Sequence, residues 1–544
     1  MIPNIAITSP PVRWISPILL PPLCCASDGL HALASVGGGW YTNLRFLPMT
    51  TVATQYETVI GLEVHVQLLT KSKMFCPCST AYADSPPNTH VCPVCLGMPG
   101  VLPVINRQAV EYTIMTGLAL NCEIASTSRF DRKNYPYPDL MKGYQISQYD
   151  QPLSRNGWME IEVDGQHKRA GITRVHLEED VAKLVHARNE AGETYSLVDV
   201  NRSGVPLMEI VGEPDLRSPE EARQYLVKLR QILLYLGVSS ANMEEGQFRC
   251  DANVSIRPLG SQEFLGKVEV KNMNSFRAVY RALAFEVERQ REVVAGGGRI
   301  VQETRGWVEP EGRTVSQRTK EYAHDYRYFP EPDLPPMSIS REWVDAIRAR
   351  MPELPDAKRE RFVRQYGLSE YEVSLLTDSR PRADFFEACL ANIPRDDEAR
   401  LRQRAKAVGN WMLGDFARLL NAAGQEIDAS LVTPEHLSQM LDLMDSSVIT
   451  GKIAKTVFDE MFNSGKTPSQ VVEEAGLTQI AASDELAAVV EKVLAENTKA
   501  VRDYQEGKEE ALRFLVGQVM RETRGRANPG VVHDLLGKKL GEPG

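Results

Sequence analysis

Four cysteines form two close pairs near the start of the patterned part of the chain. One residue separates Cys76 from Cys78, and two residues separate Cys92 from Cys95. A tetrahedral zinc site needs four soft ligands, and two such pairs supply them. Four protein ligands leave no open coordination position, so the spacing predicts a structural Zn²⁺ within residues 76–95. The alternative is a set of four free buried thiols.

Ionisable side chains alternate with apolar ones along three predicted strands, which cover residues 58–68, 247–256 and 267–271. Alternation of this kind is typical of an antiparallel sheet with one wet face. The polar face carries Glu63 and His65 on the first strand, Arg249 and Asp251 on the second, and Glu269 and Lys271 on the third.

Further carboxylates occur in the sequence HLEED, which contains Glu178, Glu179 and Asp180. Carboxylates that converge repel one another unless a cation neutralises them. Oxygen ligands with one histidine suit Mg²⁺ or Mn²⁺, and such an ion would bridge the phosphates of ATP. The alternative is that each strand only exposes a solvated face. That alternative holds for any single strand and weakens when all three strands and HLEED are considered together.

Basic and amide side chains occur close to these acids in sequence. They are candidates to hold phosphates or the single-stranded end of an RNA. Taken singly, each is more typical of a loop or helix cap. The candidates are Asn201, Arg202, Arg249, Lys271 and Asn272.

Composition and missing motifs exclude several functions. The 544 residues carry a net charge of −10 with 43% hydrophobic residues, so any RNA contact requires a local basic face. No apolar run approaches the roughly 20 residues of a membrane span. The sequence contains no GxxxxGK[ST] phosphate loop and no GxSxG nucleophile turn. If the reaction uses ammonia, another protein makes it.

Helix signals increase along the chain. Ser218 and Pro219 begin a helix that runs to Gly237, and Ser275 begins another that closes at residues 296–298. Residues 341–397 read as a helical connector, and residues 398–544 are nearly all helical. The fold class is therefore α+β, with a mostly antiparallel β-rich cradle at 55–340 followed by helical domains.

The first 54 residues differ from the rest. They carry three charges and several prolines, which is unlike a signal or transit peptide. We interpret them as a disordered extension or a misplaced start, with Met49 as the true initiator. Import into an organelle is the weaker alternative to a bacterial cytoplasmic location.

At these motifs the sequence resembles a known family, the GatB subunits of bacterial-type aspartyl/glutamyl-tRNA amidotransferases. The resemblance runs from about Tyr56 to the end, and its tail is similar to a YqeY-type domain. It is carried by VIGLEVHVQL, FDRKNYPYPDL, KGYQISQYDQP, HLEED, LVDVNRSGVPLMEIV, FRCDANVSIRP, VEVKNMNSFR, HDYRYFPEPDLPP and, in the tail, GQVMRETRGRANP.

The resemblance implies a ligase that works with subunits A and C in a heterotrimer. ATP phosphorylates the side-chain carboxylate of mischarged Glu-tRNA(Gln) or Asp-tRNA(Asn). Ammonia from the glutaminase, the first of these two partners, then displaces the phosphate. The sequence leaves open which tRNA is used. The family's Mg²⁺ site matches Glu63, His65, Glu179, Asp251 and Glu269, with Glu178 a close rival of Glu179.

The resemblance also implies that the tail binds tRNA, through Arg521, Arg524 and Arg526. A solvated helix face is the alternative for this basic cluster. Zinc occurs in only some members, so the cysteine cluster is not the chemical centre. Two other functions are a non-catalytic, zinc-stabilised RNA-binding scaffold and the archaeal relative, whose large inserted domain this chain has no room for.

Overall fold

The computed structural model describes residues 55–319, 326–394, 396–477, 483–523 and 525–541. The expected extension at 1–54, with Met49, lies outside these residues, as does Arg524 of the tail. Across the described ranges, no helix has both the length and the apolar character needed to cross a membrane.

Strands dominate the part of the chain before residue 340. Numbered in chain order, they are β1 (Tyr56–Gln67), β2 (Glu123–Ile124), β3 (Thr127–Ser128), β4 (Asp131–Asn134), β5 (Tyr144–Ser147), β6 (Ser154–Val163), β7 (Gln166–Glu179), β8 (Lys183–Arg188), β9 (Thr194–Asp199), β10 (Pro206–Gly212), β11 (Phe248–Pro258), β12 (Val268–Lys271), β13 (Glu303–Val308), β14 (Arg313–Thr319), β15 (Phe329–Pro330) and β16 (Met337–Ser338).

Twelve of these strands form one wide sheet. Its order is β14–β13–β12–β11–β1–β10–β7–β5–β4–β15, with β6 paired to β7 and β2 paired to β6. Strands β12 and β13 run parallel, and the other neighbours that the structure describes in this sheet run antiparallel. Strands β3 and β16 pair separately, as do β8 and β9. The mostly antiparallel sheet confirms the expected architecture.

Strand β1 lies inside the sheet and shows why the sequence alternates. Ile60, Leu62 and Val64 are buried in the first hydrophobic core, whereas Glu63 and His65 remain partly accessible on the other face. The core side is covered by α1 (Arg107–Ala119), α2 (Pro219–Leu236) and α3 (Phe276–Ala295). One face of the sheet is therefore apolar and packed, and the other carries the polar side chains.

The two predicted helix starts are observed. The Ser218 hydroxyl accepts a hydrogen bond from the Glu221 amide at the start of α2, and Gly237 ends that helix with a positive φ of 67°. The Ser275 hydroxyl accepts from the Ala278 amide at the start of α3. Each cap satisfies an amide that the helix itself leaves without an acceptor.

The rest of the chain is helical, as the sequence predicts. Its α-helices are α4 (Arg341–Arg348), α5 (Pro355–Tyr366), α6 (Glu370–Leu376), α7 (Arg380–Cys389), α8 (Glu398–Trp411), α9 (Ala417–Ala423), α10 (Pro434–Asp445), α11 (Gly451–Ser464), α12 (Pro468–Glu474), α13 (Ser483–Glu496), α14 (Thr498–Gln505), α15 (Glu509–Glu522) and α16 (Pro529–Leu540).

These helices enclose two further hydrophobic cores. One core runs from Phe362 to Val472, and the other from Leu486 to Leu536. The boundary that we placed between residues 397 and 398 falls inside the first of these. Helix α4 instead contributes Ile347 to the core of the sheet. The packing thus groups the helices differently from the domain limits suggested by strand and helix patterns alone.

Candidate functional site

A histidine and two glutamates converge on the polar face of the sheet. His65 of β1 lies opposite Glu209 of β10 in the strand register, and Glu178 lies on the next strand, β7. His65 Nε2 is 3.6 Å from Glu209 Oε2 and 3.8 Å from Glu178 Oε1. One donor atom from each of the three residues lies within 4.8 Å of the other two. We call these three residues the acid–histidine cluster.

The cluster holds charge despite its burial. Burial lowers the pKa of His65, but a hydrogen bond with Glu209 and the charges of Glu209, Glu178 and Asp251 outweigh this effect and raise it. Burial likewise opposes ionisation of Glu209. The charges on His176 and His65 and their hydrogen bonds to Glu209 prevail, and hold its pKa well below the usual value. His176 Nε2 lies 3.3 Å from Glu209 Oε2 and is almost fully buried.

The two glutamates of HLEED have different surroundings. Glu178 faces His65, and its Oε2 accepts a hydrogen bond of 3.3 Å from the Ser147 hydroxyl. Glu179 accepts hydrogen bonds from the Lys142 ammonium and the Ile146 amide. Successive side chains of a strand point to opposite faces, so only one of the two can join the cluster. The structure places Glu178 there, and not Glu179, which the resemblance had favoured.

Asp251 and Glu269 form a neighbouring group around a lysine. Lys271 Nζ hydrogen-bonds to Asp251 and lies 3.3 Å from Glu269 Oε1. Asp251 lies opposite Glu63 in the register, whereas His65 lies opposite Arg249. Strand β12, which carries Glu269, is one strand further away. These two acids therefore flank the acid–histidine cluster and do not share its centre.

Glu63 lies between the two groups on the polar face. Its Oε1 accepts a hydrogen bond of 2.8 Å from the Asn253 side chain. Of the residues that the resemblance assigned to one metal, the structure brings only His65 into the tightest cluster. Glu209 and His176 were missed, because PLMEIVG reads as a continuous apolar strand and because HLEED drew attention to its acids.

The predicted phosphate-binding residues divide into two kinds. Arg249 lies on the polar face, 34% of its side chain is exposed, and its guanidinium is 3.0 Å from the buried Asp180. Arg202 donates to the carbonyl oxygens of Val181 and Ala182, and Asn201 is only 1% exposed. Arg249 is thus available to a ligand, whereas Arg202 and Asn201 are engaged within the protein.

Asn201 and Asn272 have distinct structural settings. The Asn201 side chain accepts from the His90 amide and donates to the Pro86 carbonyl oxygen, so it fixes the cysteine-containing loop. Asn272 is exposed directly after β12 and has a positive φ of 64°. Lys271, the remaining member of the set, lies between Asp251 and Glu269.

The cysteine cluster forms as predicted, with four sulfur atoms within 4.8 Å of one another. A hydrogen bond between Cys76 and Cys95 is the main cause that lowers the pKa of Cys95, to about 4, and raises that of Cys76. The charge of Lys73 also lowers the pKa of Cys95. A thiolate within four converging sulfurs fits the donor set of tetrahedral Zn²⁺. The cluster comprises Cys76, Cys78, Cys92 and Cys95.

The tail residues lie far along the chain from both clusters. Arg521 is exposed in the last turn of α15, and Arg526 is half-buried in the loop before α16. Their helices belong to the third core.

The acid–histidine cluster fits a hard divalent cation. Two carboxylates and one imidazole from three adjacent strands are donors that suit Mg²⁺ or Mn²⁺. Arg249 and Lys271 supply positive charge on the same face. Carboxylates that hold a cation, with basic groups beside them, are suited to binding phosphates and stabilising charge during phosphoryl transfer.

Comparisons with known proteins cover most of the chain. A family described as the GatB/GatE catalytic domain matches residues 58–345, and one described as the GatB domain matches residues 384–540. A protein of Dehalococcoides mccartyi strain 195 is 60% identical over 496 residues, which is 90% of this chain and all of the relative.

Two further relatives give the same result. The protein of Carboxydothermus hydrogenoformans is 59% identical over 89% of this chain and 99% of its own length. That of Thermomicrobium roseum is 57% identical over 90% of this chain and 99% of its own length. All three relatives are named as the B subunit of aspartyl/glutamyl-tRNA(Asn/Gln) amidotransferase.

Proposed function

Because the chain belongs to the GatB family, we propose that it is the subunit of a tRNA amidotransferase in which the mischarged amino acid is activated and amidated. The observation that carries this proposal is the convergence of His65, Glu178 and Glu209 on the polar face of the sheet. The substrates are Glu-tRNA(Gln), Asp-tRNA(Asn) or both.

The reaction needs activation because a carboxylate is a poor acyl donor. Transfer of the γ-phosphoryl group of ATP to the side-chain carboxylate gives an acyl phosphate and ADP. Attack by ammonia at the acyl carbon then forms the amide and releases inorganic phosphate. The leaving oxygen departs as part of a stable anion, which makes the second step favourable.

The residues of the polar face have separable tasks in this scheme. His65, Glu178 and Glu209 would hold Mg²⁺, which offsets charge on the transferring phosphoryl group when it is bound. Arg249, held by the buried Asp180, presents its guanidinium to phosphate oxygens. Lys271 keeps Asp251 and Glu269 paired beside the cluster, so that their charges do not repel the phosphates without compensation.

The cysteine cluster has a structural task. A Zn²⁺ bound by all four sulfurs has no open position for substrate. Asn201 ties this loop to the segment just before β10, which carries Glu209. Metal binding would therefore stabilise the edge of the site without taking part in the reaction.

Partners complete the reaction, in a heterotrimer with subunits A and C. The sequence lacks a nucleophile motif for glutamine hydrolysis, so the glutaminase of the complex supplies the ammonia. The basic tail, with Arg521 and Arg526, binds the body of the tRNA. These partners are those of translation in the bacterial cytoplasm.

The proposal is tested by Glu209→Gln in the reconstituted heterotrimer. The substitution keeps the shape of the side chain and removes one negative charge from the cluster. We expect ATP-dependent phosphorylation of Glu-tRNA(Gln) to fall by a factor on the order of 10²–10³, as for the loss of a strong electrostatic contact in a transition state. Glutamine hydrolysis in the same preparation should persist, because another chain of the complex performs it.

The matched control is Glu57→Gln on the same strand as His65. Glu57 Oε1 accepts a hydrogen bond of 2.7 Å from Arg257 and lies about 20 Å along β1 from Glu63. It should phosphorylate at the rate of the parent. Near-normal phosphorylation by a correctly assembled Glu209→Gln complex would exclude this cluster as the site and favour a non-catalytic scaffold.

A further inference from the structure

Lys133 lies on the polar face at the edge nearest Glu178. In the register of β4 and β5, Lys133 lies opposite Gln145 and Asp131 lies opposite Ser147. Ser147 in turn lies opposite Glu178 on β7. Residues that face each other across antiparallel strands, and residues two apart along one strand, share a face. Lys133 therefore projects from the face that carries the acid–histidine cluster.

Tyrosine rings surround the Lys133 ammonium. Its Nζ lies 5.0 Å from the centre of the Tyr326 ring and 5.8 Å from that of Tyr135. The two rings meet edge to face at 5.6 Å. The Asn134 amide donates a hydrogen bond of 2.8 Å to the Tyr326 carbonyl oxygen, which fastens this segment to β4. The rings stabilise a cation at a fixed place through cation–π attraction.

The described surroundings leave the ammonium with donors to spare. A lysine ammonium carries three N–H donors, and a ring face satisfies them only weakly. Among the residues that the structure describes, none accepts a hydrogen bond from Lys133 or forms an ion pair with it within 4.0 Å. Burial lowers the pKa of Lys133, but the charges of Glu178 and Glu209 outweigh this effect and raise it. The group is thus a fixed cation that faces two carboxylates across a gap.

We propose that Lys133 is a catalytic residue that binds an oxyanion of the reacting group between its ammonium and the acid–histidine cluster. The oxyanion belongs either to the phosphates of ATP or to the side-chain carboxylate of the aminoacyl-tRNA. Its place between an ammonium and a cluster that holds a cation gives alternating charges. A compact, strongly hydrated ammonium suits this point contact. The inference rests on the proposed function and adds a ligand-binding residue to it.

The test uses the complete heterotrimer with Lys133→Met, Lys133→Arg and the control Lys168→Met. Methionine keeps a straight chain among the tyrosines and removes the charge, whereas arginine keeps the charge. Lys168 on β7 pairs with Glu221 and lies about 33 Å along that strand from Glu178. For each variant, kcat and the KM values for ATP and for Glu-tRNA(Gln) are measured in the phosphorylation reaction, beside glutamine hydrolysis.

We expect Lys133→Met to lower kcat/KM by a factor on the order of 10² or more, with glutamine hydrolysis unchanged and partial recovery in Lys133→Arg. A higher KM for ATP alone identifies the oxyanion as phosphate, and a higher KM for the tRNA alone identifies it as the aminoacyl carboxylate. The inference is overturned if Lys133→Met matches Lys168→Met, or if Lys133→Arg is as slow as Lys133→Met.

The same assays separate this inference from the proposed function. Loss of phosphorylation in Glu209→Gln, together with parent-like rates in Lys133→Met, would leave the proposed function standing and remove Lys133 from it. Parent-like rates in both variants would contradict the proposed function itself.

Discussion

Glu178 and Glu179 are neighbours in sequence and turn their carboxylates to opposite faces of β7. Glu178 lies 3.8 Å from His65 Nε2, whereas Glu179 pairs with Lys142. Both side chains are almost fully buried, so neither is a solvated surface acid. Their difference lies in their partners: one faces a group that can bind a cation, and the other is neutralised by a lysine of the protein.

Removal of a cysteine ligand should release zinc and destabilise the loop around it. Cys92→Ser leaves three sulfur ligands, so the variant should bind less metal and unfold at a lower temperature than the parent. Elemental analysis of protein purified under reducing conditions should find one Zn²⁺ per parent chain. Cys389→Ser is the control, because Cys389 lies in the second core away from the cluster. A parent chain that contains no zinc would contradict the prediction.

The sequence predicted the faces of the strands but not which acids meet. Alternation along β1 correctly placed Glu63 and His65 on the wet face. The same alternation in residues 172–178 would have favoured Glu178, because Val175 and Leu177 mark the apolar face. Alternation cannot give the register between strands, and it is the register that places Glu209 beside His65 and Asp251 beside Glu63.

Lone polar residues in apolar or mixed segments were the hardest to recognise. Glu209 interrupts an apolar strand, and Lys133 is one of several charged residues in DRKN. Asn201 carries the opposite lesson, because its amide looked suited to a ligand but is used by the backbone of another loop. Which partner a polar group finds depends on contacts between distant segments, and local sequence patterns contain no information on these.

Stability should depend on pH through Glu111, which joins α1 to α4. Burial opposes its ionisation, but hydrogen bonds from Arg350, Arg107 and Trp343 outweigh this effect and hold its pKa below the usual 4.5. A carboxyl whose pKa is lower in the folded state stabilises the fold above its unfolded pKa, and this contribution is lost as the pH falls through the folded value.

We therefore expect Glu111→Gln to lower the free energy of unfolding at pH 7 by about 1–3 kcal/mol, as for hydrogen bonds to a charged group. The deficit should shrink as the pH falls below about 4.5. Urea unfolding of both proteins at several pH values measures it, with the exposed Glu190→Gln as control. A deficit of constant size across this range would show that ionisation of Glu111 is not its cause.

Charge reversal in the tail should weaken tRNA binding. Arg521→Glu combined with Arg526→Glu should raise the KM for aminoacyl-tRNA and reduce the dependence of tRNA affinity on salt, because fewer phosphates are neutralised. The KM for ATP should not change. Arg400→Glu, on the exposed first turn of α8, is the control. Unchanged tRNA affinity and salt dependence in the double variant would show that this segment is only a solvated helix surface.

A comparison of Glu178→Gln with Glu179→Gln tests most directly whether His65, Glu178 and Glu209 form the phosphorylation site. The measurement is ATP-dependent phosphorylation of Glu-tRNA(Gln) per assembled heterotrimer. Glu178→Gln should be slower by a factor on the order of 10²–10³. Glu179→Gln should retain phosphorylation and lose stability, because it leaves Lys142 without its buried partner. Loss of phosphorylation in Glu179→Gln together with parent-like rates in Glu178→Gln would contradict this placement of the site.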